Sequence, residues 1–301
     1  MSFIIILTAC NAKIGIDDTI LLYDVSYDGE YGIIKYVHIE GDGSDGKPVL
    51  VEEKYYLVDQ LNPSEMKWRV LDSLPSGSLN PSLSGLNGVV FIRHDSAKAE
   101  IIYKEIESTN LTTTLLSGNY PDLMYFDIIR TYAVLYDSVD TLLFLDQGRS
   151  SLLIKLAAEN NYEVLRNFGQ GGDIYLTPDY CEIIMAGYSV DPYGSIPSKI
   201  LVYDIEIDSL WTFYKSPNII SNPQRMSQGD KIYYLEKEYK TGAANIFRRD
   251  NSGNVEQVTT YIYPYNVESF FLTSCSLVCD ISKQIDTNRF ETFYENIGLK
   301  K

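Results

Sequence analysis

Residues 227–238 read SQGDKIYYLEKE, a polar, turn-forming cluster followed at once by an apolar strand. Five other stretches of the 301-residue chain repeat this arrangement, among them SGLNGVVFIRHD at 84–95 and DSVDTLLFLDQG at 137–148. Aligned on one apolar residue in each, the copies recur at spacings of 56, 52, 41, 49 and 45 residues. A steady period of this length indicates a repeat architecture. The anchor residues are Ile34, Val90, Leu142, Ile183, Ile232 and Leu277.

A second and a third strand follow in most units, and the third strands recur at spacings of 45, 50, 48 and 45 residues. Each unit is therefore a short antiparallel meander, and none shows helical periodicity. The first strand of each unit is the least clear, and TILLYDV at 19–25 and RTYAVLY at 130–136 are its best cases. One four-stranded sheet cannot bury both of its faces, whereas sheets packed around an axis cover one another. The pattern predicts an all-β fold: a β-propeller with six blades of mostly four antiparallel strands, with five or seven blades as alternatives.

Several turns resemble those of a known repeat family. The stretches SYDGE at 26–30, TPD at 177–179 and SQGDK at 227–231 resemble the S-P-D-G-K turn of TolB-type β-propellers. Residues 244–260, ANIFRRDNSGNVEQVTT, resemble the strand, D-x-x-G turn and second strand of the same family. The resemblance implies a propeller that works by binding partners, and other proteins with similar repeats bind peptides or glycans or form domains of peptidases.

The N-terminus carries a second resemblance. An apolar run ends in Leu7-Thr8-Ala9-Cys10, which is similar to the lipobox of bacterial lipoproteins. In that family the chain is cut before the cysteine, whose thiol carries a diacylglycerol. The resemblance therefore implies lipidation of Cys10 and a location in the bacterial cell envelope, periplasmic or surface-exposed. The alternative is an ordinary N-terminal strand with a buried cysteine, in an intracellular propeller scaffold.

The expected domain organisation has three parts. Residues 1–9 are a truncated lipoprotein signal segment, residues 10–18 a tether or closing strand, and residues 19–301 a single six-bladed propeller. A fourth strand from residues 12–17 would complete the last blade, in which the strand pattern runs out. The approximate blades are 19–73, 74–117, 118–168, 169–216, 217–261 and 262–301.

The balance of charge argues against two classes of partner. The chain has 25 Lys and Arg against 41 Asp and Glu, which gives a net charge of -16. Nucleic acids and anionic membranes are bound through basic patches. We therefore expect no nucleic-acid partner, and contact with a membrane through the lipid anchor only.

Nothing in the sequence identifies a reaction. There is no G-x-S-x-G nucleophile elbow, and the two histidines, His38 and His94, occupy corresponding ends of strands in the first two units, as repetition alone would give. An acidic hairpin offers oxygen ligands for calcium, but its glycine is one position too early for an EF-hand loop. We expect no catalytic residue, metal or cofactor. The oxygen ligands of that hairpin are Asp42, Ser44, Asp45 and Glu53.

Three cysteines remain besides Cys10. If Cys275 and Cys279 lie in one strand, they share a face about 13 Å apart, which is too far for a disulfide. Either could pair with Cys181 after export. Because the count is odd, at least one free and buried thiol is expected.

Loop positions define the preferred binding face. In a propeller, connections between second and third strands share one face with connections between blades. Both long insertions, 40–48 and 187–199, join second to third strands. The predicted connections between blades, among them 75–84 and 215–223, are rich in Tyr, Pro and Asn. Tyrosine supplies amphipathic contact area at low entropic cost. The candidate ligand-binding residues are Tyr120, Tyr125, Tyr188, Asp191, Tyr193, Tyr261, Tyr263 and Tyr265.

These features favour an exported, lipid-anchored propeller that acts as a binding or scaffold module for an envelope protein, a peptide or a glycan. The alternative is a propeller enzyme of the metal-dependent lactonase or glycan lyase type, with carboxylates and tyrosines at the mouth of the channel. The scarcity of histidine and the lack of a catalytic motif make the enzyme the less favoured interpretation.

Overall fold

The structure is a computed structural model, and the residues that it describes lie mainly in β-strands, with one short 3-10 helix among them at Pro63–Glu65. The chain divides into two compact units, Met1–Tyr125 and Phe126–Lys301. The structure describes residues 17–41, 48–84, 88–94, 98–106, 112–119, 130–136, 140–146, 151–156, 161–168, 173–179, 181–188, 198–226, 229–237, 243–286 and 289–299.

The first unit contains two antiparallel sheets of four strands in chain order. Their facing sides bury a shared apolar core in which Ile33 and Leu57 of sheet 1 pack with Val89, Phe91 and Ile102 of sheet 2. Sheet 1 consists of β1 (Asp17–Val25), β2 (Tyr31–Gly41), β3 (Pro48–Asn62) and β4 (Lys67–Ser73), and sheet 2 of β5 (Ser78–Ser84), β6 (Gly88–His94), β7 (Lys98–Glu105) and β8 (Thr112–Asn119).

The second unit contains sheets 3 to 6, each again an antiparallel meander in chain order. Sheet 3 consists of β9 (Arg130–Tyr136), β10 (Asp140–Asp146), β11 (Ser151–Leu156) and β12 (Tyr162–Asn167), and sheet 4 of β13 (Ile174–Leu176), β14 (Glu182–Tyr188), β15 (Ser198–Asp204) and β16 (Ser209–Ser216). Sheet 5 consists of β17 (Ile219–Arg225), β18 (Lys231–Lys237), β19 (Ala244–Asp250) and β20 (Val255–Gln257), and sheet 6 of β21 (Tyr265–Leu272), β22 (Ser276–Asp286) and β23 (Arg289–Gly298).

Strands of the second unit are apolar on both sides because each middle sheet packs against two neighbours. In β14, Ile183 and Met185 belong to the core shared with sheet 3, whereas Ile184 and Ala186 belong to the core shared with sheet 5. Alternate residues of a strand point to opposite faces. A continuous apolar run is therefore the pattern that a sheet buried on both faces requires, and the repeated strands of the sequence carry it.

The predicted all-β, β-propeller fold is confirmed, and the blade count is five, which was one of the two alternatives to the predicted six. Within the described ranges, sheets 1 to 5 have four strands each, and the last sheet, β21–β23, has three. The fourth strand expected from residues 12–17 lies outside the described residues except for Asp17, which begins β1 and pairs with Ile39. Asp17 therefore belongs to sheet 1 and not to the last sheet.

Two first strands were predicted as loops between blades. Residues 75–84 contain all of β5, and residues 215–223 contain most of β17. Both strands carry an Asn-Pro bulge, at Asn80-Pro81 and Asn222-Pro223, where the pairing register shifts. The asparagines adopt positive φ angles of 48° and 49°, which asparagine tolerates, and proline is accepted where the ladder is interrupted. Polar, proline-containing strands of this kind lack the apolar alternation that predicts a strand.

Candidate functional site

Of the eight predicted ligand-binding residues, three have described side chains. Tyr261, Tyr263 and Tyr265 lie in and just after the connection between β20 and β21. Tyr188 ends β14 opposite Ser198, but its side chain lies outside the described residues. The remaining predicted residues, together with the predicted lipidation site, also lie outside the described residues: Tyr120, Tyr125, Asp191, Tyr193 and Cys10.

The connection to β21 is held in one conformation by a buried amide. The Asn245 side chain accepts a hydrogen bond from the backbone amide of Tyr261 at 2.7 Å and donates one to the Tyr261 carbonyl at 3.0 Å. The hydroxyl of Thr259 donates to the same side chain at 3.1 Å. Further along, the backbone N–H of Gln284 donates to the backbone carbonyl of Pro264 at 2.9 Å. The segment between these ties is therefore fixed to sheets 5 and 6 rather than free.

The fixed segment presents two large apolar side chains to solvent. Ile262 and Tyr263 are 75% and 72% exposed, and the Tyr265 amide closes the turn by donating to the Ile262 carbonyl at 2.9 Å. We call these two exposed residues the aromatic tip. Single exposed apolar residues are common on proteins, whereas a fixed adjacent pair offers a preformed contact surface.

Three aromatic rings lie behind the aromatic tip. The ring of Tyr265 lies 6.4 Å from that of Tyr261 and 6.4 Å from that of Phe293 on β23. The Lys283 ammonium lies 5.6 Å from the centre of the Tyr265 ring, so one ring face already holds a cation. The Tyr261 hydroxyl donates to the Glu295 carboxylate. The pKa of Tyr261 is raised, mainly by burial and to a smaller extent by this hydrogen bond.

Two carboxylates lie on the same face of β23 as the Phe293 ring. They belong to Glu291 and Glu295, and both residues are exposed. On the opposite face of the sheet, Glu268 of β21 accepts a hydrogen bond from the Ser282 hydroxyl of β22, and burial raises the pKa of Asp280 on β22 to about 6, with the Glu268 charge as a second cause. This end of sheet 6 therefore combines exposed aromatic and apolar area with negative charge.

Sequence reasoning missed three members of this surface. Ile262, Phe293 and Glu295 drew no attention because each is an ordinary residue in its own stretch of sequence. Ile262 stands between two predicted tyrosines, which was a usable signal. Phe293 and Glu295 lie in the strand farthest from those tyrosines in sheet 6, and only the register of Phe293 with Ile281 and of Glu295 with Cys279 places them on the face that meets the Tyr261 segment.

The histidines are not brought together with a nucleophile in the part of the chain that the structure describes. His38 Nδ1 lies 2.6 Å from Asp18 Oδ1, and the Tyr36 hydroxyl donates to the same oxygen at 2.8 Å. These contacts lower the pKa of Asp18, the His38 hydrogen bond being the largest cause. His94 ends β6, and its side chain lies outside the described residues.

The acidic hairpin is described only in part. Asp42, Ser44 and Asp45 lie outside the described residues, whereas Glu53 forms an ion pair with Lys35 at 2.9 Å. Among the described residues, no group of three or more His, Cys, Asp or Glu is placed to hold a metal ion. A search of the same residues for an apolar helix long enough to cross a membrane finds none.

Neither of the two disulfides that the sequence left open for Cys181, with Cys275 or with Cys279, is formed, because all three thiols are free. Cys181 and Cys275 are exposed in turns, and Cys275 precedes β22 rather than sharing that strand with Cys279. Cys279 is fully buried, which confirms the expectation of a free buried thiol. Burial raises its pKa to about 12.

Comparison with solved structures supports the fold and leaves the activity open. TolB from Acinetobacter baumannii matches 95% of this chain and 80% of its own at 13% identity, with a TM-score of 0.51. An acylaminoacyl peptidase from Pyrococcus horikoshii matches 89% of this chain but 44% of its own at 12% identity, with a TM-score of 0.53. An oligogalacturonate lyase from Vibrio parahaemolyticus matches 95% of this chain and 72% of its own at 9% identity, with a TM-score of 0.51.

No family model matches the sequence, and no curated protein matches it either. The chain therefore has a TolB-like β-propeller fold, and the low identities carry the fold alone.

Proposed function

We propose that this chain is a binding or scaffold module that captures a partner through the aromatic tip and the rings behind it. The observation that carries the proposal is the exposure of Ile262 and Tyr263 on a segment held in place by Asn245. Fixing a contact surface in advance reduces the ordering cost of binding. Tyrosine is also a residue type in which interface binding energy concentrates.

The experiment is capture of envelope proteins, peptides and glycan fragments on immobilised protein. Replacing the tip, with Ile262→Ser and Tyr263→Ser together, removes apolar area without touching Asn245 or the core. A matched control replaces two other exposed apolar residues, on β12, with Tyr162→Ser and Val164→Ser. We expect capture to fall at least tenfold for the tip variant, since each lost anchor costs about 1–2 kcal/mol. Equal capture by the tip variant and the parent would refute the proposal.

The cellular location that we propose is the bacterial cell envelope, where a lipid on Cys10 alone anchors the protein to the membrane. The similarity of residues 7–10 to a lipobox supports it. Metabolic labelling with a radioactive fatty acid tests it: label is expected on the parent and lost in the Cys10→Ala variant. An unlabelled parent, or label that persists in the variant, would favour an intracellular scaffold.

An enzyme is the second candidate, since an oligogalacturonate lyase shares the fold. Such a lyase would bind an anionic glycan, whereas the face of sheet 6 that carries the rings behind the aromatic tip presents Glu291 and Glu295. Like charges disfavour that ligand here. Elemental analysis of the purified protein distinguishes the candidates, because stoichiometric divalent metal would favour a metal-dependent lactonase or lyase and its absence would favour the binding module.

A further inference from the structure

Independently of the aromatic tip, we infer that the junction of sheets 4 and 5 holds a binding site for a primary ammonium group, as carried by a lysine side chain or a small alkylamine. Three residues form this site, which we call the ammonium site. They are Glu236 on β18, Asn218 in the connection between β16 and β17, and Ser198 at the start of β15.

The carboxylate of Glu236 reaches from sheet 5 to the end of sheet 4. Its Oε1 atom accepts hydrogen bonds from the Ser216 hydroxyl at 2.6 Å and from the Asn218 side-chain amide at 2.8 Å. The Ser216 hydroxyl in turn accepts a hydrogen bond from the Asn218 backbone amide at 3.0 Å. These contacts fix the carboxylate, and among the described residues no donor reaches its Oε2 atom.

Ser198 supplies a buried hydroxyl beside this carboxylate. It pairs with Ser216 across β15 and β16, so the two side chains lie on one face of sheet 4. That face meets sheet 5, because Ile200 and Val202, which alternate with Ser198, belong to the core shared with sheet 5. Ser198 is 1% exposed, and its Oγ atom has no hydrogen-bond partner in the described part of the chain. Since buried hydroxyls are normally hydrogen-bonded, Ser198 marks a position that a further polar group completes.

The charge of Glu236 has no counterpart of opposite sign. Within the described ranges, no lysine, arginine or histidine lies within ion-pair distance of this carboxylate, although the residue is half-buried. A carboxylate partly withdrawn from water is stabilised by a cation. A water molecule would satisfy the Ser198 hydroxyl but not the charge of Glu236, whereas a cation with N–H donors satisfies both.

The acceptors of the site favour a primary ammonium over other cations. An ammonium carries three N–H donors on a compact charge, and the site offers three acceptors that lack donors among the described residues: Glu236 Oε2, Asn218 Oδ1 and Ser198 Oγ. A guanidinium prefers to bind both oxygens of a carboxylate, but Oε1 of Glu236 already accepts two hydrogen bonds. Calcium takes about six to eight oxygen ligands, often from several carboxylates, which is more than this set supplies.

The ammonium site adjoins the segment that carries the aromatic tip. Glu236 pairs directly with Asn245, whose side chain holds the backbone of Tyr261. The net charge of -16 attracts cationic groups to the protein. A protein partner held at the aromatic tip can therefore place a lysine side chain at Glu236.

The test follows the fluorescence anisotropy of dansylcadaverine, a dye that ends in a primary ammonium, as the full chain is added. We expect saturable binding of this dye, and none of its N-acetyl derivative, which lacks the charge, or of its trimethylammonium analogue, which lacks N–H donors. The dansylated peptide GSGKGSG and its acetyl-lysine form repeat the comparison with a lysine side chain. Binding of the peptide alone would identify lysine as the source of the ammonium, binding of the dye alone a small amine, and binding of both would show that the ammonium group itself suffices.

Two variants test the named residues. Glu236→Gln removes the charge but keeps an acceptor for Ser216 and Asn218, and it should weaken binding of the amines roughly tenfold or more. Ser198→Ala removes only an unpartnered hydroxyl, so it should weaken binding roughly three- to tenfold without lowering the melting temperature. The matched control is Glu163→Gln on β12, which removes an exposed carboxylate and should bind the amines as the parent does.

Three results would overturn this inference: no binding of either primary amine, equal binding of the trimethylammonium analogue, or parent-like binding by both Glu236→Gln and Ser198→Ala. The protein with Ile262→Ser and Tyr263→Ser should still bind dansylcadaverine as the parent does. Amine binding therefore tests the ammonium site, whereas partner capture tests the aromatic tip, and the failure of one is distinguishable from the failure of the other.

Discussion

The Asp24 carboxylate on β1 accepts a hydrogen bond from the backbone amide of Leu83 on β5 at 2.8 Å, and so joins the first strands of sheets 1 and 2. The same oxygen accepts a hydrogen bond from the Ser82 hydroxyl at 3.3 Å. In the second unit, Asp173 accepts one from the Asn222 amide of β17 at 2.7 Å. Both recipient strands carry the Asn-Pro bulge, so a carboxylate from the preceding sheet satisfies an amide of each bulged strand.

Asp24→Ala should destabilise the protein because it leaves the Leu83 amide without this acceptor. An unsatisfied buried backbone donor costs about 1–3 kcal/mol. Urea unfolding followed by circular dichroism measures the change. The matched control is Glu30→Ala, which removes an exposed carboxylate in the turn between β1 and β2 and should change stability by less than about 0.5 kcal/mol. Similar losses in the two variants would contradict this account of Asp24.

Gln224 is predicted to contribute more to stability than any exposed glutamine. Its side chain donates to the Phe270 carbonyl at 2.7 Å and accepts from the Leu272 amide at 2.7 Å, which ties β17 to β21. Gln224→Ala leaves the Leu272 amide without its acceptor and opens a small cavity, whereas the Phe270 carbonyl keeps a hydrogen bond from the Asn222 side chain at 2.8 Å. We therefore expect a loss of about 2–4 kcal/mol in the free energy of unfolding.

The control for that prediction is Gln257→Ala, on the exposed strand β20. The free energy of unfolding of this variant should lie within about 0.5 kcal/mol of that of the parent. The measurement is the same urea titration, with the slope of unfolding checked so that a change in the unfolded state is not mistaken for one in stability. A loss below about 1 kcal/mol for Gln224→Ala would mean that water replaces its side chain.

The repeat period and the apolar strands could be predicted from the sequence because they follow from burial on both faces. TILLYDV at 19–25 lies within β1, and RTYAVLY at 130–136 coincides with β9. The first strands β5 and β17 could not be predicted in the same way. Their residues satisfy hydrogen bonds from neighbouring sheets, and such partners are distant in sequence, as Asp24 is from Leu83.

The candidate surface was predicted only where one stretch of sequence supplies it. Tyr261, Tyr263 and Tyr265 are adjacent in the chain, so composition alone singled them out. Phe293 and Glu295 join them through the register between β22 and β23, which no local pattern specifies. Cross-strand neighbours are set by pairing and not by spacing.

Asp280 should make stability depend on pH. Burial raises its folded-state pKa to about 6, whereas an unfolded aspartate titrates near about 3.9. Between these values the folded state binds more protons than the unfolded state, so stability falls as pH rises from about 4 to about 6. The Oδ1 atom is buried and has no hydrogen-bond partner among the described residues, so ionisation there is not compensated.

The Asp280→Asn variant keeps the shape and removes the charge. At pH 7 we expect it to be more stable than the parent by about 2–3 kcal/mol, and the difference should shrink towards zero as the pH falls below about 4, where both side chains become neutral. Thermal unfolding across pH 3.5–8 measures this, with Asp230→Asn as an exposed control. A difference that stays constant with pH, or that grows towards acid, would contradict the burial of this carboxylate.

The three described thiols should react in a fixed order. Cys181 and Cys275 are exposed, whereas Cys279 is buried with its pKa raised to about 12, so iodoacetamide at pH 8 should modify the first two and spare the third until urea unfolds the chain. The negative charges beside Cys181 should slow its reaction. Its pKa is raised mainly by partial burial and next by the charges of Asp179 and Glu206. Asp179→Asn should therefore speed the labelling of Cys181 several-fold, with Cys275 in the same molecule as the internal reference. Peptide mass spectrometry reads each site, and a disulfide-linked peptide containing Cys181, or early modification of Cys279, would contradict the free and buried thiols of the structure.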